Sequence, residues 1–237
     1  MPENPTAQAP RPRREPFQFE PMDGDPTPLR LLETLLKHPG RIIHQLHQER
    51  PVILVFWFLL YALGGMALYG LAVGSLSGGS QFWIAPAKLA LGTAFSVAIC
   101  LPSLYIFSCL GGSDIRFGAV AGALAAMVCL TSLLLLGFAP VAWIFSQSTD
   151  SIAFLGALHL LFWLIGLAFG LRVLGSMSRF RGESRRGYLR IWSFVFVIVC
   201  LQMTTTLRPI VGQADHFLPG EKKFFLSHWV ETLGAKK

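Results

Sequence analysis

Apolar residues in this chain gather in five long runs, roughly 52–74, 86–108, 118–145, 152–174 and 191–207, with polar residues between them. Most of these runs approach the ~20 residues that a helix needs to cross a bilayer's hydrocarbon. The pattern predicts an all-α integral membrane protein, a helical bundle of five transmembrane helices. The third run is too long for one straight helix. Pro140, in "GFAPVAWIF", predicts a kink there that leaves Trp143 and Phe145 in the interface. The fourth and fifth runs are the cleanest. No internal repeat is evident, which weakens an inverted-repeat transporter reading.

The flanks have a different pattern. Residues 1–28 are rich in proline and polar residues and lack the apolar core of a cleavable signal peptide, so a disordered tail is expected. Phe17 and Phe19 flank Gln18 within it and suit a short recognition segment. In residues 29–50, Leu29, Leu32 and Leu36 share a helical stripe with Leu31 and Leu35 beside it, and Ile42, Ile43 and Leu46 continue after the break at His38-Pro39-Gly40. An amphipathic helix in the membrane interface is expected there. Residues 208–237 predict a second one on the exterior tail, where Phe225, Leu226, Trp229, Val230 and Leu233 form an apolar stripe after the Pro219-Gly220 turn.

Charge then orients the bundle. Only 14% of residues are charged against 53% apolar, and the charges lie almost wholly outside the apolar runs. Between the fourth and fifth runs stand Arg172, Arg179, Arg181, Arg185, Arg186 and Arg190, opposed only by Glu183, and Arg41 and Arg50 precede the first. Loops 75–85 and 146–151 have no basic residue. Basic loops stay on the cytoplasmic side, so the N-terminus is expected inside and the C-terminus outside. The net charge of +7 is accounted for by this topology and by contact with anionic headgroups, at about 1 kcal/mol for each basic residue near the surface. Nucleic-acid binding is not expected. A protein partner at the N-terminal tail or at Arg179, Arg181, Arg185, Arg186 and Arg190 is the sharper alternative for the basic loop.

Candidate chemistry is sparse. Cys100, Cys109, Cys129 and Cys200 are isolated, which argues against a disulfide framework or a zinc site. Asp215, His216 and His228 have no diagnostic metal-ligand spacing, and no metal or cofactor is expected. No nucleophile–base pair, GxSxG, HExxH or P-loop is present, so the expectation is a non-enzyme. Small residues recur four apart at Gly70 and Gly74, Gly118 and Gly122, and Gly166 and Gly170, a spacing that lets helices approach closely in lipid.

Polar residues inside the runs predict a cluster in the outer half of the bundle. His159 falls ~10 Å and Gln202 ~9 Å from the outer end of its run, counting 1.5 Å per residue. Thr131, Ser132 and Thr93 are expected near the same level, with Lys88 one turn inside the second run. Polar groups in hydrocarbon need partners, and ionisable ones mark candidate sites.

The layout of five spans behind a proline-rich tail resembles the Yip1-like membrane proteins over residues 41–207. The segments "LPSLYIF", "FAPVAWIFS" and "QMTTTLRPIVG" look like those of a group of uncharacterised bacterial membrane proteins. The resemblance implies a bacterial cell membrane location and carries no catalytic residue. The expected function is a non-enzymatic component that organises other proteins or docks onto them. Small-solute or ion transport through the polar cluster is the alternative, and the oligomeric state is open.

Overall fold

The computed structural model describes residues 19–22, 24, 27–47, 51–77, 81–111, 115–149, 151–180 and 187–206. Their regular structure is entirely helical: α1 (Pro28–Lys37), α2 (Pro39–Leu46), α3 (Pro51–Ser77), α4 (Gln81–Leu110), α5 (Phe117–Ser148), α6 (Ile152–Phe180) and α7 (Gly187–Thr206). The last five are long and apolar enough to cross a membrane. None contains an aspartate or glutamate. Among the described residues, five helices thus have the length and composition of the spans of a multi-pass membrane protein.

Helices α3 to α6 run 27 to 32 residues, about 40–48 Å at 1.5 Å per residue. Each is therefore longer than the ~30 Å thickness of a bilayer's hydrocarbon. This extension shifts the expected boundaries. Arg172, counted above with the arginine loop, lies inside α6, and its guanidinium sits 4.9 Å from the centroid of Phe169. An arginine near a span's end keeps its charge toward the interface while its stem and a ring cover each other. Pro140 does not end α5, which stays helical to Ser148.

Packing places α5 at the centre. It stands between α3 and α6, α4 packs on α3, and α7 packs on α4. Of α5's most apolar stretch 78% is buried, against 11% for α7, so α5 is the core and α7 the periphery. The glycines explain how the helices come this close. Gly166 and Gly170 on α6 face Thr131 and Met127 of α5, Gly70 on α3 faces Ala85 and Pro86 of α4, and Gly118 faces Pro51. Gly122 receives the Leu46 side chain. Five of the six expected small-residue positions thus pack within one chain; Gly74 is buried on α3.

The first amphipathic segment is two helices, because Pro39 at the second helix's first turn supplies no N–H to the α1 ladder. Leu31 and Leu35 of α1 and Ile42, Ile43 and Leu46 of α2 are fully or almost fully buried in the main core, against α3, α5 and α6. The α1 stripe is divided. At ~100° per residue, Leu31, Leu35, Leu32, Leu36 and Leu29 fill an arc of about 160°. Half of it enters the bundle, while Leu29 and Leu36 stay 74% and 52% exposed. Arg30, Glu33 and Lys37 occupy the adjoining edge and are exposed. The helix thus has one face in the core, an exposed apolar edge and an exposed charged edge.

The end of the N-terminal tail is also packed rather than free. Phe19 and Met22 lie against the main core, and Arg41 Nη2 is 3.2 Å from Glu20 Oε2. Lys37 Nζ donates to Glu33 Oε1 at 2.7 Å and holds that carboxyl below the usual range. A depressed carboxylate favours the folded state above its unfolded value and loses that contribution as pH falls through the folded one. The pair is exposed, so the effect is small. The second expected amphipathic helix, at 208–237, lies outside the described residues.

Candidate functional site

The transmembrane polar residues separate into three groups. Their separation follows from the helix row: α6 and α7 sit at its opposite ends and share no extensive interface. His159 on α6 therefore does not meet Gln202 on α7. The single outer-half cluster of six residues is not formed.

The first group lies deep in the bundle. Thr131 donates to the Met127 carbonyl at 2.9 Å and to the Gly166 carbonyl at 3.3 Å, and Ser132 donates to the Cys129 carbonyl at 2.8 Å beside Gly65. Because α5 continues to Ser148, Thr131 is 17 residues, about 25 Å, from that end. That is well below His159, contrary to the expectation of a common level. These hydroxyls are satisfied by backbone carbonyls, and that of Thr131 ties α5 to α6.

Helices α4 and α7 hold the second group. Thr93 donates to the Leu89 carbonyl at 2.8 Å, and Ser96 lies beside Cys200. Trp192, fully buried, donates Nε1–H to Ser103 Oγ at 3.1 Å and to the Cys100 carbonyl at 3.3 Å. This antiparallel register carries Gln202 to about the level of Thr93. Cys100 and Cys129 are buried, Cys200 is half-buried and Cys109 is exposed. Among the described residues no group of three or more His, Cys, Asp or Glu is arranged to hold a metal ion.

The third group is the site of interest. His159 is seven residues into α6, about 10 Å from its start, and Tyr69 is eight residues from the end of α3, about 12 Å. Tyr69 Oη and His159 Nδ1 are 2.6 Å apart, and the rings meet edge to face at 5.7 Å between centroids. The bond joins α3 to α6 across α5, where Ala139 is small and Phe138 stacks on Phe162 at 4.7 Å. Met66, Val73, Leu135 and Phe162 complete an apolar surround. His159 Nε2 is buried and has no hydrogen-bond partner among the described residues. A ring held at one nitrogen, with the other aimed into apolar surroundings, is a fixed polar point in a low-dielectric setting.

Lys88 belongs to the same layer. The contact of Gly70 with Pro86 sets the antiparallel register of α3 and α4, which brings Lys88 within a turn of the level of Tyr69. Its side chain is fully buried. Sequence reasoning found His159 and Lys88 but missed Tyr69. The signal was present, because Tyr69 and His159 lie at similar distances from the ends of their runs, but aromatic residues are common in spans and this one looked apolar.

Tyr69→Phe removes one hydroxyl and leaves the ring. The expected loss is about 1 kcal/mol, the net worth of one buried hydrogen bond. Reversible unfolding of the two proteins in mixed micelles measures it; equal midpoints would show that the bond contributes nothing to stability.

Of the basic residues expected to touch lipid or a partner, Arg190 is exposed in the first turn of α7. The side chains of Arg179, Arg181, Arg185 and Arg186 lie outside the described residues. No family model, curated protein or solved structure matches the chain.

Proposed function

We propose that this chain is a non-enzymatic component of a bacterial cell membrane, of the Yip1-like kind, that organises or docks other proteins at the cytoplasmic surface. The observation that supports this reading is the seating of α1 and α2. Leu31, Leu35, Ile42, Ile43 and Leu46 lock both helices into the bundle and leave Arg30, Glu33 and Lys37 along an exposed edge. A charged edge held rigidly at the membrane costs a partner little ordering entropy on binding. The arginine loop lies on the same side of the membrane by helix count and supplies a second basic surface.

Co-purification in mild detergent tests the proposal. A partner retained by the wild type should be lost when Arg30 and Lys37 are changed to glutamate, or when Arg181, Arg185, Arg186 and Arg190 are changed to glutamine, with topology unchanged. A partner that persists in both variants counts against this surface.

A second reading, solute or ion transport, is favoured by one observation: the unpartnered Nε2 of His159 beside Tyr69, in the layer of Lys88. Tracer flux in proteoliposomes that vanishes in His159→Ala would support it, and flux indifferent to that change would remove it.

A further inference from the structure

We propose that residues 19–22 are a displaceable occupant of a peptide-docking surface beside α2, and that this surface takes a partner segment of the same chemistry. Such a segment has an aromatic residue followed by a carboxylate, with a second apolar residue three positions after the first. The inference deepens the docking reading, on which it rests for the existence of a partner, and assigns a surface other than the charged edge of α1.

The segment is built like a ligand. Phe19 and Met22, three residues apart, are half-buried against the main core, whereas Glu20 and Pro21 between them are exposed. Glu20 Oε2 accepts from Arg41 Nη2 of α2 at 3.2 Å. Exposure in this pair is uneven, at 21% for the Arg41 side chain and 57% for that of Glu20. The bundle thus supplies an apolar surface and a largely enclosed guanidinium, and the segment supplies two apolar side chains and an anion. This division is the complementarity of a receptor and a peptide.

The segment is also held loosely. Residues 19–22 belong to no helix, and half of their side chains face solvent. Fixing their backbone costs entropy, and a partly exposed ion pair offsets little of it. Segments of this kind open at the low end of a protein's stability range. Gly24 stands between the segment and α1 at φ +77°, a conformation that favours glycine. Beyond it α1 is anchored by Leu31 and Leu35, both fully buried, so the segment leaves without unseating that helix.

The probe is a fluorescein-labelled peptide of the chain's own residues 18–24, QFEPMDG, added to the full-length chain in phosphatidylcholine nanodiscs and read by anisotropy against empty discs. A tethered segment acts at an effective concentration on the order of 1 mM. Emptying the surface with Phe19→Ser and Met22→Ser should therefore tighten the binding of a peptide of roughly 0.1 mM affinity about tenfold. A peptide carrying Glu20→Lys should bind the emptied chain about two- to fivefold more weakly, and Arg41→Glu in that chain should restore it.

Equal affinity for the wild type and the emptied chain overturns the proposal, as does binding to neither. So does an emptied chain indifferent to Glu20→Lys. A wild type that is dimeric and becomes monomeric with Phe19→Ser and Met22→Ser places the segment on a second copy and overturns the partner assignment. The docking reading is scored separately: a partner lost with Arg30 and Lys37 changed to glutamate sustains it even if the peptide fails, and a chain that binds peptide but retains no partner keeps the surface and counts against it.

Discussion

Gly70→Ala should lower the stability of the bundle by about 1–3 kcal/mol, the usual cost of overpacking a tight contact. A Cβ at this position would lie 2.5 Å from Pro86 Cα and 2.8 Å from Pro86 N. Both obstacles are backbone, and the proline ring stiffens them further. No rotamer change relieves the clash, so α3 and α4 must move apart. Gly170→Ala should behave similarly, since its Cβ would meet the Met127 carbonyl oxygen at 2.7 Å. Gly122→Ala should cost less, because the atom in its way is the flexible end of Leu46. Gly64 offers an internal control: its Cβ would meet nothing within 4 Å, so alanine there should be neutral or stabilise by up to ~1 kcal/mol through helix propensity. Unfolding midpoints in a detergent–SDS titration check all four. Equal midpoints for Gly70→Ala and Gly64→Ala would show that the α3–α4 crossing is looser than described.

Trp192→Ala should detach α7. Among the described residues this helix packs on α4 alone to any extent, and most of its apolar surface is not buried. Trp192 is its main anchor: fully buried, stacked on Phe196 at 5.2 Å, and hydrogen-bonded to both Ser103 and the Cys100 carbonyl. Large-to-alanine changes of this kind cost about 3–5 kcal/mol in water-soluble cores. The lower end applies here, because lipid solvates the exposed surface as well as protein does and the loss is one of packing and hydrogen bonding. The readout is specific to the contact. Cysteines placed at Ser103 and Ser193 should cross-link readily in the parent and several-fold more slowly with Trp192→Ala. Undiminished cross-linking would mean that α7 is held by other contacts.

Much of the architecture was legible before any tertiary structure. Hydrocarbon imposes a simple rule, that each crossing must be a long apolar helix, and it is written in consecutive residues. All five crossings, the separate amphipathic α1–α2 segment and the small-residue ridges followed from it. Boundaries were less legible, because a helix does not stop where hydropathy falls. The extension of α5 from residue 145 to 148 and of α6 from residue 174 to 180 is not marked by the fall in hydropathy.

The polar sites divide along the same line. Local spacing showed that His159, Gln202, Thr131, Ser132, Thr93 and Lys88 lie within spans, but counting from the ends of the runs misplaced Thr131 in depth. It did not reveal which helices are neighbours, because lipid supplies no pattern in the chain that pairs one apolar helix with another. Glycine contacts at Gly65, Gly70, Gly166 and Gly170, with Trp192 holding α7 on α4, mark the row α6–α5–α3–α4–α7. That row separates His159 from Gln202 and brings Tyr69 to it from 90 positions away. Solvation by hydrocarbon is a property of each segment alone and is therefore readable residue by residue; helix adjacency is a property of pairs and exists only once the surfaces have met.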